Sequence, residues 1–235
     1  MNRELKRFNI HTRRIFMNDK FQLRDGFTYT AHTGCVGTPA NSLESIDVAV
    51  EHGADIVEFD LNFTADGRAV LSHDAPKGNE ISLDEAFRKI ATIENLLVNV
   101  DVKTTAHLEL VKPLAEKHGI LDRIFYTGIT KEMVEDAKKK SPGITYYLNT
   151  NVRRFQTKKY LAKLVDEVRG CGAVGINFNK KSATKKLVDF FRENGLLVSI
   201  WTANNEKDCL RLLSLSPDNI TTRRPDIIKT ILEKK

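Results

Sequence analysis

Short apolar runs alternate with longer amphipathic segments from Phe27 to the carboxyl end of the chain. Apolar runs of this length are typical of buried parallel strands, whereas apolar residues spaced three and four apart are typical of helices. Eight predicted strands within this alternation fit one (β/α)8 TIM barrel, an α/β fold in a single domain. The predicted strands are residues 28–33, 55–61, 97–103, 123–128, 145–149, 173–178, 197–202 and 219–222.

Local signals refine this pattern at several positions. A further run at residues 69–73 follows the second strand through a turn too short for a parallel crossover, so we expect a hairpin there. Asn41, followed by Glu44, predicts the start of the first helix, and Ser82 with Glu85 predicts a capping box on the second. Later helices are predicted around residues 131–140, 158–169, 181–194 and 206–213.

Three carboxylates are predicted to point into the barrel. Side chains alternate along a strand, so Glu58 and Asp60 lie on the face opposite Val57 and Phe59, and Asp101 lies on the corresponding face of the next strand. The outward face of a barrel strand packs under helices and is apolar, so the acidic face points inward. These residues stand at the carboxyl ends of their strands, where such barrels carry their chemistry.

Crowded carboxylates repel one another in a low-dielectric mouth, so a counter-ion is expected. Oxygen ligands favour a hard divalent cation, Mg²⁺ or Ca²⁺. A second interpretation stays open, in which one or two of the carboxylates pair with Lys103 or a nearby arginine.

Two histidines are predicted at the same mouth. His32 ends the first strand and His73 ends the hairpin run. Two imidazoles across a site suit general acid and general base catalysis near neutral pH, although a histidine in such a position is also commonly structural.

Charge is distributed unevenly over the 235 residues. The net charge of +6 combines +5 for residues 1–24, −10 for residues 25–109 and +11 for residues 110–235. The strongly acidic middle argues against nucleic acid as a partner. We expect a basic arm at residues 1–25 and one globular domain at residues 26–235. The arm either docks on the domain or lies on a membrane surface.

The cellular compartment is predicted from cysteines and hydropathy. Cys35, Cys171 and Cys209 are odd in number and far apart, which indicates a reducing environment without a disulfide framework. No apolar run is long enough for a transmembrane segment, and the charged amino-terminal residues lack the apolar centre of a signal peptide. We therefore expect a cytoplasmic protein.

Seven blocks of the chain resemble the glycerophosphodiester phosphodiesterase family. They fall in that family's order between residues 28 and 226. They are residues 30–34 with His32, 39–44 with Asn41, 53–60 with Glu58 and Asp60, 70–74 with His73, 99–103 with Asp101 and Lys103, 200–204 with Trp201, and 219–226.

The resemblance implies metal-dependent hydrolysis of a small glycerophosphodiester to glycerol 3-phosphate and an alcohol. In the family's mechanism the glycerol hydroxyl next to the ester attacks phosphorus, and water then opens the cyclic phosphate. The implied metal ligands are Glu58, Asp60 and Asp101, the acid–base pair is His32 and His73, and the substrate-binding residues are Lys103, Trp201 and Asn41. Trp201 is equally well interpreted as a core residue, and Asn41 as a helix cap.

The chain departs from the family pattern in four ways. Thr33 replaces the phosphate-binding arginine that usually follows the first histidine, Ala40 replaces an acid, and Asp101 stands where glutamate is common. The insertion after the second histidine is reduced to residues 74–80, so we expect an open site. Two alternatives remain: a lysophospholipid-cleaving enzyme similar to the phospholipase D-type toxins, and a non-catalytic barrel that binds phosphate esters. A homo-oligomer is left open.

Overall fold

A closed ring of eight parallel strands, surrounded by helices, forms the part of the chain described by this computed structural model, residues 26–234. The predicted arm at residues 1–25 lies outside the described residues. The strands are β1 (Thr28–Ala31), β2 (Ile56–Phe63), β3 (Ala69–Leu71), β4 (Leu97–Val102), β5 (Ile124–Thr127), β6 (Leu148–Asn149), β7 (Gly175–Asn179), β8 (Leu197–Trp201) and β9 (Asn219–Thr222). The α-helices are α1 (Leu43–Glu51), α2 (Leu83–Ala91), α3 (Val111–Lys117), α4 (Val134–Lys140), α5 (Lys158–Cys171), α6 (Lys185–Glu193), α7 (Glu206–Ser214) and α8 (Pro225–Glu233).

The order of the strands confirms the (β/α)8 barrel. Neighbours follow the path β5-β4-β2-β1-β9-β8-β7-β6, and every pair along it is parallel. A parallel bridge between Tyr126 and Tyr146 joins the two ends of this path. The Tyr126 N–H donates to the Thr145 carbonyl at 2.9 Å, and the Tyr147 N–H donates to the Tyr126 carbonyl at 3.0 Å. Because this closure is a single bridge, β6 is shorter than the predicted strand.

The predicted hairpin is also confirmed. β3 pairs antiparallel with the end of β2, with Leu61 opposite Leu71 and Phe63 opposite Ala69. β2 therefore runs two residues beyond its predicted end, since β3 supplies a partner past the ring. The Thr64 N–H closes the turn by donating to the Arg68 carbonyl at 3.0 Å.

The helix starts show one correct and one wrong prediction. Ser82 and Glu85 form the predicted capping box of α2. Asn41 does not cap α1: Ser42 is the cap, and its hydroxyl accepts the Ser45 N–H at 3.0 Å. Asn41 has a left-handed backbone with φ of 57° and lies outside the helix. None of the described helices combines the length and hydropathy needed to cross a bilayer.

The interior of the barrel is built in layers. Ile56, Leu97, Phe125 and Tyr147 form an apolar floor, in which the Phe125 and Tyr147 rings meet edge to face at 5.7 Å. The apolar face of β2, including Val57 and Phe59, packs outward as predicted. Above the floor lies a belt of buried polar side chains. It consists of Thr28, Thr30, Asn99, Thr127, Asn177, Ser199, Asn219 and Thr221.

Hydrogen bonds across strands make this belt stable. Asn219 Oδ1 accepts from the hydroxyls of Thr28 at 3.2 Å and Thr30 at 3.0 Å, while its Nδ2 donates to Ser199 Oγ at 3.0 Å. Buried polar groups are costly unless they are paired, so these contacts tie β1, β8 and β9 together inside the barrel.

Candidate active site

Glu58, Asp60 and Asp101 meet inside the barrel, as predicted, and Asp60 and Asp101 lie near the carboxyl end of the stretch over which β2 and β4 pair. Asp60 and Asp101 are register partners on adjacent strands, and Glu58 lies one inward position below Asp60. One carboxylate oxygen from each residue lies within 4.8 Å of the others. Glu58 and Asp60 are buried, and Asp101 is partly exposed. The cluster is therefore an acidic group able to hold a metal ion.

The electrostatics of this cluster follow from burial and mutual repulsion. Burial, together with the charges of Asp60 and Asp101, raises the pKa of Glu58 well above its usual range. Lys103 Nζ lies 2.7 Å from Asp60 Oδ1 and also hydrogen-bonds Asp101. Burial lowers the pKa of Lys103, but the two aspartates outweigh it and hold that pKa above its ordinary value. When all these groups are ionised, one ammonium leaves two negative charges uncompensated, which suits a divalent cation.

His32 is held with a defined ring orientation beside the cluster. Its Nδ1 lies 3.0 Å from the Thr33 carbonyl oxygen and 3.5 Å from Glu58 Oε2. A carbonyl only accepts hydrogen bonds, so this contact requires the proton on Nδ1 and leaves the Nε2 lone pair free for a substrate proton. Burial lowers the pKa of His32, which favours this neutral form.

Asn41 positions a carboxylate. Its Nδ2 donates to Asp60 Oδ2 at 2.9 Å, and its Oδ1 accepts the Asp60 backbone N–H at 3.0 Å. Its own backbone N–H donates to the Thr33 hydroxyl. The amide thus holds Asp60 at the cluster.

His73 and Trp201 stand at the rim. The His73 side chain is 66% exposed, and its Nδ1 lies 3.0 Å from Asp74 Oδ1. The backbone N–H of Ser72, the residue before His73, donates to the Asp60 carbonyl at 3.0 Å. This bond ties the segment that carries His73 to the strand that carries Asp60. Trp201 ends β8, and its indole Nε1 is buried without a hydrogen-bond partner among residues 26–234. A buried unpaired donor is costly, which favours a ligand acceptor at this position.

Arg223 is the residue that sequence reasoning missed. It directly follows β9, its Nε donates to the Thr33 carbonyl at 3.3 Å, and its backbone N–H donates to Asn204 Oδ1 at 3.0 Å. His32 and Arg223 thus share one carbonyl oxygen, so the imidazole and guanidinium lie side by side. Within the described part of the chain, no carboxylate forms an ion pair with Arg223, whereas the adjacent Arg224 makes three side-chain hydrogen bonds to Asp226. Two consecutive arginines at a strand end were the available signal.

The family comparison agrees with this geometry. The model of the glycerophosphoryl diester phosphodiesterase family matches residues 32–96 and 85–227, which include every residue of the site described above. The chain belongs to this family.

Individual members and neighbours are distant in sequence. A glycerophosphodiester phosphodiesterase of Bacillus subtilis is 23% identical over 256 residues, covering 88% of this chain and 87% of that protein. A dermonecrotic toxin of Sicarius peruensis is 24% identical over 256 residues, covering 85% of this chain and 91% of the toxin. An Oleispira antarctica phosphodiesterase, solved in complex with the product sn-glycerol-3-phosphate, shares the fold with a TM-score of 0.74 at 18% identity, over 88% of this chain and 97% of that chain.

Proposed function

We propose that this member of the family is a metal-dependent phosphodiesterase that releases glycerol 3-phosphate and an alcohol from small glycerophosphodiesters. The observation that carries the proposal is the convergence of Glu58, Asp60 and Asp101 beside His32 at one rim of the barrel. Family membership supports the substrate class.

The carboxylate cluster fits a hard divalent cation, Mg²⁺ or Ca²⁺. Its three carboxylates supply only oxygen ligands and carry more negative charge than Lys103 neutralises. Glu58, Asp60 and Asp101 would hold the ion, and Asn41 would keep Asp60 oriented toward it. When bound, the cation neutralises phosphoryl oxygens and favours deprotonation of the attacking hydroxyl or water.

The two histidines supply proton transfer in this proposal. His32 Nε2 takes the proton of the glycerol hydroxyl next to the ester as that oxygen forms its bond to phosphorus. His73 protonates the alkoxide that leaves when the other ester bond breaks. In the second step the roles exchange, and water opens the cyclic phosphate. The exposure of the His73 side chain supports a leaving alcohol at the solvent side of the site.

Arg223 takes the place of the family arginine that is absent at Thr33. Its guanidinium is next to His32 and, in the described residues, carries no carboxylate partner, so its remaining N–H groups are available to a phosphoryl oxygen. Lys103, which the resemblance assigns to the phosphate, is engaged by Asp60 and Asp101. Trp201 Nε1 would donate to the glycerol or to the alcohol group.

A second candidate substrate class is the lysophospholipids. The matched dermonecrotic toxin and the short segment at residues 74–80, which leaves the mouth uncovered by an inserted subdomain, favour it. Both substrate classes contain a phosphodiester and would use the same residues.

The test is release of glycerol 3-phosphate from glycerophosphocholine, with and without EDTA and after re-addition of Mg²⁺ or Ca²⁺. We expect chelation to abolish the activity and either His32→Ala or His73→Ala to lower kcat by about two orders of magnitude. His52→Ala, at the end of α1, is the matched control and should retain it. Activity that survives complete chelation overturns the metal assignment. Turnover of lysophosphatidylcholine alone selects the second substrate class, and a metal-loaded protein that binds glycerol 3-phosphate without any turnover is the non-catalytic barrel.

A further inference from the structure

A phenylalanine projects into solvent from the rim of the barrel. The β6–α5 loop, residues 150–157, follows the carboxyl end of β6 and therefore lies on the same rim as the carboxylate cluster. In this loop Phe155 is 84% exposed, whereas Leu210, the next most exposed large apolar side chain of residues 26–234, is 47% exposed. Exposing a whole aromatic ring to water is unfavourable, so the position calls for an explanation.

The loop that carries Phe155 is firmly attached to the barrel. Gln156 is buried, and its Nε2 donates to the carbonyls of Ser182 at 2.7 Å and Arg153 at 3.1 Å. The Thr184 hydroxyl donates to Gln156 Oε1 at 2.6 Å. A phenylalanine presented from an anchored turn loses little conformational freedom when its ring is buried in another phase.

The surroundings of Phe155 are strongly basic. Residues 137–165 contain eight lysines and arginines and no acidic residue. Near the ring, the exposed cations are Arg153, Arg154, Lys158 and Lys159, joined by Lys181 from the loop after β7. Within the part of the chain that the structure describes, none of these five pairs with a carboxylate. Their charge is thus available to an anionic partner.

We infer that the β6–α5 loop docks this protein on an anionic lipid surface, with Phe155 inserted among the acyl chains and the flanking cations on the headgroups. An apolar side chain ringed by unpaired lysines and arginines is the combination that binds such surfaces. A nucleic acid fits less well, because only one ring is presented: Tyr160 accepts the Arg153 N–H at 3.1 Å, and the Arg153 guanidinium covers its ring at 5.7 Å. Docking by this loop turns the mouth of the barrel toward the membrane. That this orientation brings a lipid phosphodiester to the active site rests on the proposed function.

The test is co-sedimentation of the full chain with vesicles of phosphatidylcholine, alone or mixed with one third phosphatidylglycerol. We expect binding to the anionic vesicles that weakens with added salt. Phe155→Ala should weaken the partition coefficient about tenfold. Arg154→Gln combined with Lys158→Gln should also weaken it at least about tenfold.

Matched controls lie on α7 and α8. Leu210→Ala removes a partly exposed apolar side chain. Lys229→Gln with Lys234→Gln removes one positive charge from α8 and one from the residue that follows it, and α8 lies next to β1, across the ring from β6. Both controls should bind vesicles as the unaltered chain does, and Phe155→Ala should hydrolyse soluble glycerophosphocholine at the unaltered rate.

Three results would overturn the inference. The first is failure of the unaltered chain to bind anionic vesicles, and the second is unchanged vesicle binding by Phe155→Ala. The third is that the loop variants lose binding to single-stranded RNA but bind vesicles as the unaltered chain does. Vesicle binding requires no catalysis, so a chain that docks but hydrolyses no phosphodiester supports the docking surface and contradicts only the proposed function.

Discussion

Replacing Arg223 by glutamine tests how the site holds a phosphate. The change removes the positive charge beside His32 but keeps a side chain of similar length with an N–H donor. Among residues 26–234, the Arg223 side chain makes one hydrogen bond, the long 3.3 Å contact to the Thr33 carbonyl, so we expect little effect on folding. Its loss should be visible in catalysis and in the binding of phosphate esters.

The expected magnitude follows from the environment of the guanidinium. A charge-assisted hydrogen bond contributes about 1.5–3 kcal/mol, which corresponds to roughly tenfold to a hundredfold in rate. A fully enclosed transition-state donor is worth about a hundredfold to a thousandfold. Arg223 is exposed at the rim, and solvent screens its charge. We therefore expect kcat/KM to fall by about tenfold to a hundredfold, the smaller of these two effects.

The assay is steady-state release of glycerol 3-phosphate, together with the inhibition constant of added glycerol 3-phosphate and a thermal melt. Arg223→Gln should lower kcat/KM, raise the inhibition constant and leave the melting temperature nearly unchanged. Arg223→Lys keeps the charge but loses the planar donor pair, so its kcat/KM should lie between those of the unaltered chain and Arg223→Gln. Arg224→Gln is the matched control, because that neighbouring guanidinium is engaged by Asp226.

A clear result would refute this reasoning. If Arg223→Gln retains the unaltered kcat/KM and inhibition constant, the phosphate is held by another cation. If Arg224→Gln shows the larger loss, the wrong arginine of the pair was assigned.

Two further predictions concern stability. Asn219→Ala removes the acceptor of Thr28 and Thr30 and the donor to Ser199, so urea titration should show an unfolding free energy lower by about 2–4 kcal/mol; a loss below about 0.5 kcal/mol would contradict the importance of the polar belt. Burial raises the pKa of Cys209 to about 11, so its folded thiol binds a proton more tightly than the unfolded one, which titrates near about 8.5. The tighter proton binding adds to the free energy of unfolding. This stabilisation is complete below the unfolded pKa and is lost as the pH rises toward about 11. The melting temperature of Cys209→Ala should therefore depend less on pH in that window than the melting temperature of the unaltered chain. An equal pH dependence in the two proteins would argue against the raised pKa.

Much of the fold and the core of the site are predictable because they depend on local periodicity. Alternation along β2 is enough to send Glu58 and Asp60 inward and Val57 outward, since only one face of a barrel strand can be charged. The parallel ring then brings Asp101 to the register position of Asp60. These statements need only the type of each residue and its place in a strand.

The start of α1 shows where local rules end. Asn41 and Ser42 both have side chains that cap helices, and their order in the chain does not decide between them. The decision comes from a distant group, because the Asn41 amide satisfies Asp60 through two hydrogen bonds and Ser42 is left to accept the Ser45 N–H. The predicted cap is thus wrong by one residue because Asn41, just before the helix, positions a carboxylate of the site.

Arg223 shows the same limit over a longer distance. The family resemblance assigns Lys103 to the substrate, yet Lys103 is engaged by Asp60 and Asp101. Closure of the barrel pairs β1 with β9 and sets Ala31 opposite Thr222, so the residues following each strand become neighbours although 190 positions separate them. A cation absent from the end of one strand is therefore most readily replaced from the end of the strand beside it. In other short members of this family, the strand ends next to β1 are the positions at which to look for such a replacement.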